Sequence, residues 1–194
     1  MNLRTPILIL AIIIVSLSSI GCSVAPKQRN QAEFRRDAHH ATQWFKSNIN
    51  GLDQQIAQSA GYAVYPAVGQ WGIGISGGQF GRGVLNRPDG TQIGWAALNT
   101  ASAGLQLGGR GYKLLVVFEN REVLSKFMNN TLSGSATAVT VAGENGIGKA
   151  ASFAEGVAVY DGDSTGLLAG ANVGLNFMRY KELDKRQAAE SAIE

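Results

Sequence analysis

Residues Leu114–Phe118 read LLVVF, an unbroken apolar run that contains two β-branched residues. A short apolar run without polar alternation is typical of a strand buried on both faces, at the centre of a sheet. Asn120 follows this run closely and can cap a helix that carries Val123, Leu124, Phe127 and Met128 on one face. The sequence therefore predicts a central strand followed at once by a helix near residues 120–130.

Alternating segments rich in glycine precede this strand. Apolar residues alternate with glycine or polar residues over residues 73–78 and 103–108, and Ile93–Leu98 is predicted to be a strand between them. The sequence RPDG at Arg87–Gly90 predicts a turn, because proline fixes φ and glycine accepts positive φ. Tyr62–Val68 is also strand-like, although Pro66 restricts it to a sheet edge or a turn. Strands joined by short turns, without helices of crossover length, favour antiparallel pairing.

The remaining elements lie at the two ends of the chain. Residues 32–48 are predicted to form an amphipathic helix, and Leu52–Ser59 a second, short helix. Phe153–Tyr160 and Leu167–Phe177 are predicted to form a final hairpin that turns around Asp161-Gly162-Asp163. The expected fold is α+β: N-terminal amphipathic helices packed on a curved, mainly antiparallel β-sheet or sandwich, with one helix inserted near residues 120–130.

The first residues carry an export signal. Arg4 is followed by an apolar stretch over residues 7–20 and then by Gly21-Cys22, and Cys22 is the only cysteine in the chain. A positive start, a short apolar run and a small-residue cleavage site are typical of secretory signals, and a cysteine directly after the site fits the bacterial lipobox. Cleavage would leave Cys22 as an N-terminus carrying acyl chains, palmitate among them. An ordinary signal peptide or an uncleaved anchor is the alternative.

This signal divides the chain. We assign residues 1–21 to the lipoprotein signal peptide, 22–31 to the lipidated N-terminus and tether, 32–180 to the folded domain and 181–194 to a charged tail. Ser23 follows the cysteine in place of the aspartate that retains lipoproteins at the inner membrane. We therefore expect localisation at the bacterial outer membrane, with the domain in the periplasm.

Composition excludes several classes of protein. The net charge is only +3, which does not argue for a nucleic-acid partner. Charged residues make up 16% and apolar residues 45% of the chain, which indicates a globular domain and not a disordered one. A single cysteine allows no disulfide within the chain, so the exported domain has to rely on its core.

Motifs for nucleotide or metal chemistry are incomplete. Gly72–Gly77 fits the dinucleotide pattern but continues as a strand, and Ala150 replaces the hydroxyl residue that a P-loop needs. His39 and His40 are adjacent, so they project about 100° apart on a helix and do not share a metal as i, i+4 ligands do. We expect no cofactor, no metal, no nucleotide and no enzymatic activity.

Several motifs, in order, resemble the SYLF domain family. They are GYAVYPAV at Gly61–Val68, GGQFGRGVL at Gly77–Leu85, the turn Arg87–Gly90, the strands Gly104–Gly109 and Leu114–Phe118, and GLLAG at Gly166–Gly170. The resemblance covers residues 32–178. It implies a lipid-binding domain without catalytic residues, associated with phosphoinositides and actin in eukaryotes and found in exported envelope lipoproteins of bacteria. Gln70 and Trp71 stand where family members often carry a lysine, which departs from the phosphoinositide-binding pattern.

The family resemblance also implies membrane contact by the N-terminal amphipathic helix. We expect anionic phospholipid headgroups to meet basic residues while an aromatic side chain enters the interface. The residues concerned are Arg35, Arg36, Trp44, Phe45, Lys46 and Lys149. In one alternative, the apolar stripe of this helix docks on the sheet and its charges are solvated. In another, the protein is a structural lipoprotein that binds an envelope protein, and only its acyl anchor contacts the membrane. A third alternative is a lipid carrier with an apolar cavity inside the curved sheet.

Overall fold

The computed structural model describes residues 24–27, 30–133, 135–137, 139–141, 148–166, 172–174 and 178–184. The described helices are α1 (Gln31–Asn48), α2 (Leu52–Gln58) and α3 (Arg121–Met128). The described strands are β1 (Ile49–Asn50), β2 (Gly61–Asn86), β3 (Gln92–Phe118), β4 (Ser135–Thr137), β5 (Val139–Val141), β6 (Gly148–Lys149), β7 (Val157–Gly166), β8 (Asn172–Gly174) and β9 (Met178–Glu182). The predicted signal peptide and Cys22 lie outside the described residues.

The main sheet has the strand order β2-β3-β7-β5, and β9 pairs with the first part of β3. The β2–β3, β3–β7 and β3–β9 pairs are antiparallel, and β5 pairs with β7 in parallel. Two short pairs, β1–β6 and β4–β8, lie beside it. The predicted α+β class with a mainly antiparallel sheet is therefore confirmed.

Strand β3 is the centre of the fold, as its apolar run predicts. Leu114, Val116 and Phe118 belong to one core cluster, which includes Phe127 of α3. Leu115 and Val117 belong to a second cluster, under α1 and α2. All five residues of Leu114–Phe118 are 0% exposed, so both faces of the strand are buried. Each such side chain contributes roughly 1.5–3 kcal/mol through burial.

The strands β2 and β3 form one long, curved hairpin, where the sequence indicated several shorter strands. Tyr62 pairs with Val117 at one end and Val84 with Trp95 at the other, with register shifts in between. A Cβ on Gly83 would lie 2.5 Å from the carbonyl oxygen of Val64, so the second half of β2 packs closely over its first half. The lack of a side chain at Gly83 permits this approach. The predicted curvature is confirmed.

The sequence patterns of α1, α3 and the turn at Arg87–Gly90 predicted the positions of these elements correctly. Ala38, Ala41 and Phe45 of α1 are buried against the sheet. Asn120 Oδ1 accepts a hydrogen bond of 3.1 Å from the backbone N–H of Val123, which caps α3. In the turn, the N–H of Gly90 donates to the carbonyl of Arg87 at 3.0 Å. Gly90 has φ +92°, a value that favours glycine.

The hairpin turn predicted around Asp161-Gly162-Asp163 is wrong. These residues lie inside β7, where Asp161 pairs with Leu114 and Gly162 with Lys113. Aspartate and glycine favour turns locally, but here the carboxylate of Asp161 is buried against the arginine side chain of Arg110. Tertiary contact therefore overrides the local preference.

The two predicted ends of the domain also differ from expectation. β9 continues to Glu182 and pairs with Gly94 there, so the first residues of the predicted tail are strand. At the other end, Ala25 of the predicted tether is buried at 8% exposure, and Val24 packs against the cluster under α1. The segment before α1 is therefore attached to the same side of the sheet as α1.

Candidate functional site

A groove of about 740 Å³ runs between α1 and the turn that joins β2 to β3. One wall is the outer flank of α1, and the other is formed by the end of the hairpin, from Asn86 to Gln92. Tyr62 of β2 also lines the groove. The groove exists because the apolar stripe of α1 docks on the sheet and leaves its polar flank beside the turn.

Basic side chains dominate the α1 wall. They are Arg35, Arg36, His39, His40 and Lys46. Arg36 and both histidines are exposed. Lys46 forms an ion pair of 2.8 Å with Asp53, so part of its charge is balanced. Three of the basic residues predicted from the sequence thus line one surface, and that surface suits an anionic group.

Arg35 is held against the sheet. Its Nε donates a hydrogen bond of 2.9 Å to Gln92 Oε1, and its guanidinium lies 5.7 Å from the ring centre of Trp95. Gln92 is in turn fixed by a 3.1 Å hydrogen bond from its Nε2 to the carbonyl of Gly94. Arg35 therefore positions α1 on β3 and presents its charge in a fixed orientation.

The opposite wall contributes one acidic group and neutral polar groups. The backbone N–H of Thr91 donates to Asp89 Oδ1 at 2.8 Å, and this contact lowers the pKa of that carboxyl. Burial raises the pKa of the Tyr62 hydroxyl, while hydrogen bonds with Thr42 and Asn86 oppose the shift. Tyr62 is therefore neutral, and Arg35, Arg36 and Lys46 of α1 outnumber Asp89 among the lining residues.

Phe45 cannot be a membrane-inserting residue in this fold, which corrects the prediction. Its side chain is 0% exposed in the cluster under α1. The neighbouring Trp44 is half-buried, with its ring centre 5.2 Å from that of Phe45 in an edge-to-face arrangement. Lys113 Nζ lies 5.6 Å from the Trp44 ring centre, and burial lowers the pKa of this lysine. Of these two aromatic residues, Trp44 alone has exposed surface that a membrane could contact.

Lys149 is exposed but lies away from the groove. It forms part of β6 and pairs with Asn50, just after the end of α1. The residues 142–147 of the P-loop-like segment lie outside the described residues. Tyr62, Asn86 and Gln92 were not predicted as site residues, because their position depends on how α1 packs over the hairpin. The turn Arg87–Gly90 was the one local signal that could have indicated this wall.

The described residues contain neither a cluster of metal-ligating side chains nor a helix that could span a membrane. No group of three histidine, cysteine or acidic side chains lies close enough to hold a metal ion within the described ranges. None of the described helices has the length and hydropathy that a transmembrane span requires.

A protein-family model matches a segment in the C-terminal part of the chain. Residues 99–186 match the family model described as Ysc84, Las17-binding protein actin regulator. The SYLF resemblance is thereby confirmed over this segment. The SYLF family is linked to lipid binding and to actin regulation. No curated protein and no solved structure matches the chain.

The SYLF segment and the groove occupy different parts of the fold. The matched segment begins within β3 and extends past β9, so it contains most of the central strand and all of α3. All residues that line the groove precede it in sequence. The groove is therefore formed by residues outside the segment that the family model matches.

Proposed function

We propose that this protein is a membrane-anchored envelope lipoprotein whose folded domain binds anionic lipid headgroups. The observation that carries the proposal is the basic groove beside α1, in which Arg36, His39 and His40 are exposed and Arg35 is fixed by Gln92. Phosphate groups suit such a cluster, since fixed guanidinium groups donate charge-assisted hydrogen bonds to phosphate oxygens. The link of the SYLF family to lipid binding supports the same function.

The attachment of the N-terminal segment supports an orientation in which the α1 side of the domain faces the membrane. Cys22, the proposed site of acylation, precedes Val24 by two residues, and Val24 packs against the cluster under α1. Two residues span at most about 7 Å, so an acyl anchor on Cys22 would hold the α1 side of the domain close to the bilayer. Acyl chains contribute about 0.8 kcal/mol per buried methylene, which makes a multiply acylated anchor stable.

The proposed location is the bacterial outer membrane, on its periplasmic face. It follows from Ser23, which replaces the aspartate expected for retention at the inner membrane. Anionic lipids there would attract the groove electrostatically, with about 1 kcal/mol for each basic residue near the surface. The proposal assigns no catalytic residue and no cofactor.

A second candidate is a lipoprotein that binds an envelope protein while only its acyl chains enter the membrane. The burial of Phe45 favours it, because the apolar stripe of α1 is used in the core and is not available for insertion. Arg35 is likewise engaged with Gln92 and Trp95. In this case the groove would receive an acidic segment of a protein.

Vesicle co-flotation distinguishes the two candidates. The chain from Ser23 onward is mixed with neutral phosphatidylcholine vesicles or with vesicles containing phosphatidylglycerol, at low and high salt. Headgroup binding predicts flotation with the anionic vesicles alone, weakened by salt because exposed charges are screened. Arg36→Glu should abolish most of this binding. Arg121→Glu is the matched control, since it makes the same charge change at the N-terminus of α3, which packs on the opposite face of the sheet.

Absence of flotation under every condition would contradict headgroup binding by the domain. It would leave the acyl anchor as the membrane contact and favour the protein-binding candidate. Equal loss of flotation in Arg36→Glu and Arg121→Glu would show that net charge, and not the groove, controls the interaction.

A further inference from the structure

Among the side chains that the structure describes, three large apolar ones are exposed where β2 curves back on itself. Trp71 is 44% exposed, Ile73 72% and Phe80 58%. We call this surface the apolar bend. Soluble proteins expose large contiguous apolar patches rarely, and such patches mark sites of contact with other molecules.

Each aromatic ring of the apolar bend packs over a glycine that lies two residues from the other aromatic residue. A Cβ on Gly69 would lie 2.5 Å from Cζ of Phe80, and a Cβ on Gly78 would lie 3.2 Å from Nε1 of Trp71. Gly69 is on the same strand face as Trp71, and Gly78 is on the same face as Phe80, because successive side chains alternate. Each ring therefore covers the glycine beside the other ring, and the patch is one continuous surface.

The chemistry of this segment matches a lipid interface. Residues 71–81 read WGIGISGGQFG and contain no charged side chain, whereas the next residue, Arg82, is basic and exposed. Trp71 has the amphipathic ring that is enriched at membrane–water interfaces, and Phe80 adds exposed apolar surface beside it. The backbone is paired with β3 on both sides of the curve, from Trp71 opposite Gly109 to Phe80 opposite Asn99. In the described sheet β2 is an edge strand, so alternate backbone groups face away from β3 and need water or headgroups as partners. The apolar bend therefore suits the hydrated interfacial layer and not the hydrocarbon core.

The apolar bend lies on the same face of the sheet as α1. Leu115 of β3 packs in the cluster under α1, and Lys113 and Gly109 lie on the same face, two and six residues before it. Gly109 is directly opposite Trp71. Lys113 contacts the ring of Trp44 on α1. The surface of α1 therefore continues past Lys113 to the apolar bend.

We propose that the apolar bend inserts into the interfacial layer of the lipid bilayer on which the domain rests. The inference depends on the proposed function in one respect, namely that the α1 side faces a membrane. The groove would then bind headgroups while Trp71, Ile73 and Phe80 enter the layer beneath them. Insertion by a curved β-ribbon also resolves the difficulty that Phe45 of α1 is buried.

A local fluorescent label tests this directly. Cys22 is the only cysteine, so Cys22→Ser combined with Ile73→Cys places one thiol on the apolar bend of the full chain. The thiol is labelled with the environment-sensitive fluorophore NBD. Fluorescence is read on protein that floats with vesicles of phosphatidylcholine and phosphatidylglycerol, with and without lipids that carry a quencher on the acyl chain. Lys126→Cys is the matched control, because Lys126 is exposed on α3 at the opposite face.

The expected result is a blue shift and quenching for the label at position 73, and neither for the label at position 126. A label at position 73 that stays in water on floated protein would overturn the proposal. Headgroup binding would survive that outcome, since flotation and its loss in Arg36→Glu are measured separately. A blue shift that grows with protein concentration in the absence of vesicles would also overturn it, because a second copy of the chain would then cover the patch.

Discussion

Arg110 and Asp161 form an ion pair between β3 and β7 with both side chains buried, at 2% and 0% exposure. The guanidinium of Arg110 also lies 4.3 Å from the ring centre of Tyr112. Two charges in an apolar sheet are tolerated only together, because each would otherwise pay the full cost of leaving water. The pair therefore joins two adjacent strands, and we expect its loss to destabilise their pairing.

Asp161→Asn should destabilise the domain strongly. The substitution keeps the shape of the side chain but leaves the charge of Arg110 buried without its partner, which costs about 3–5 kcal/mol. Urea denaturation of the chain from Ser23 measures this loss. Glu122→Gln, in the exposed pair with Lys126, is the control and should leave the free energy of unfolding almost unchanged, because solvent screens that pair. A similar small loss for Asp161→Asn would contradict the burial of the pair.

Phe45→Ala should mainly lower the stability of the domain, whereas Phe80→Ala should mainly weaken vesicle binding. Phe45 is completely buried, so its truncation should lower the free energy of unfolding by about 3–5 kcal/mol. Phe80 is 58% exposed, so its truncation should cost about 1 kcal/mol or less while weakening vesicle binding. Denaturation and co-flotation of both variants test this contrast. Reduced vesicle binding by Phe45→Ala with unchanged stability would mean that α1 leaves the sheet at the membrane.

Stability should decrease in alkali between pH 10 and about 12. Burial raises the pKa of Tyr112 from 10.0 to about 12, and its hydroxyl donates to Gln79 Oε1 at 3.1 Å. In this range the unfolded chain has released the tyrosine proton and the folded chain has kept it, so rising pH favours unfolding. Urea denaturation across this range should give a shallower decline for Tyr112→Phe than for the parent chain. An identical slope in both proteins would exclude Tyr112 as a source of the decline.

Local patterns in the sequence predicted the elements whose structure depends on near neighbours. The burial of Leu114–Phe118 follows from its unbroken apolar run, and the cap of α3 follows from Asn120. Asp161 was misassigned because its partner Arg110 is 51 residues away in the chain. No local signal reports a contact at that separation.

The candidate site also depends on contacts between residues that are distant in sequence. The basic residues of α1 could be identified from helical periodicity, but the groove needs Gln92 and the turn of the hairpin beside them. The direction in which Phe45 points was also undetermined, since an apolar stripe suits either a sheet or a bilayer. Only the packing of α1 on Trp95 and its neighbours distinguishes these two uses.

The curvature that creates the apolar bend should depend on Gly83. A Cβ there would lie 2.5 Å from the backbone carbonyl oxygen of Val64 and 2.8 Å from Cδ1 of Tyr65, and the backbone oxygen cannot move aside cheaply. Gly83→Ala should therefore cost about 1–3 kcal/mol, as overpacked cores do. Gly109→Ala is the matched control, because its nearest neighbour would be 3.7 Å away. Denaturation should show a loss for the first variant only, and vesicle binding should fall with it because the two halves of β2 separate. If both variants are equally stable, the close approach of Gly83 to Val64 does not hold the curve.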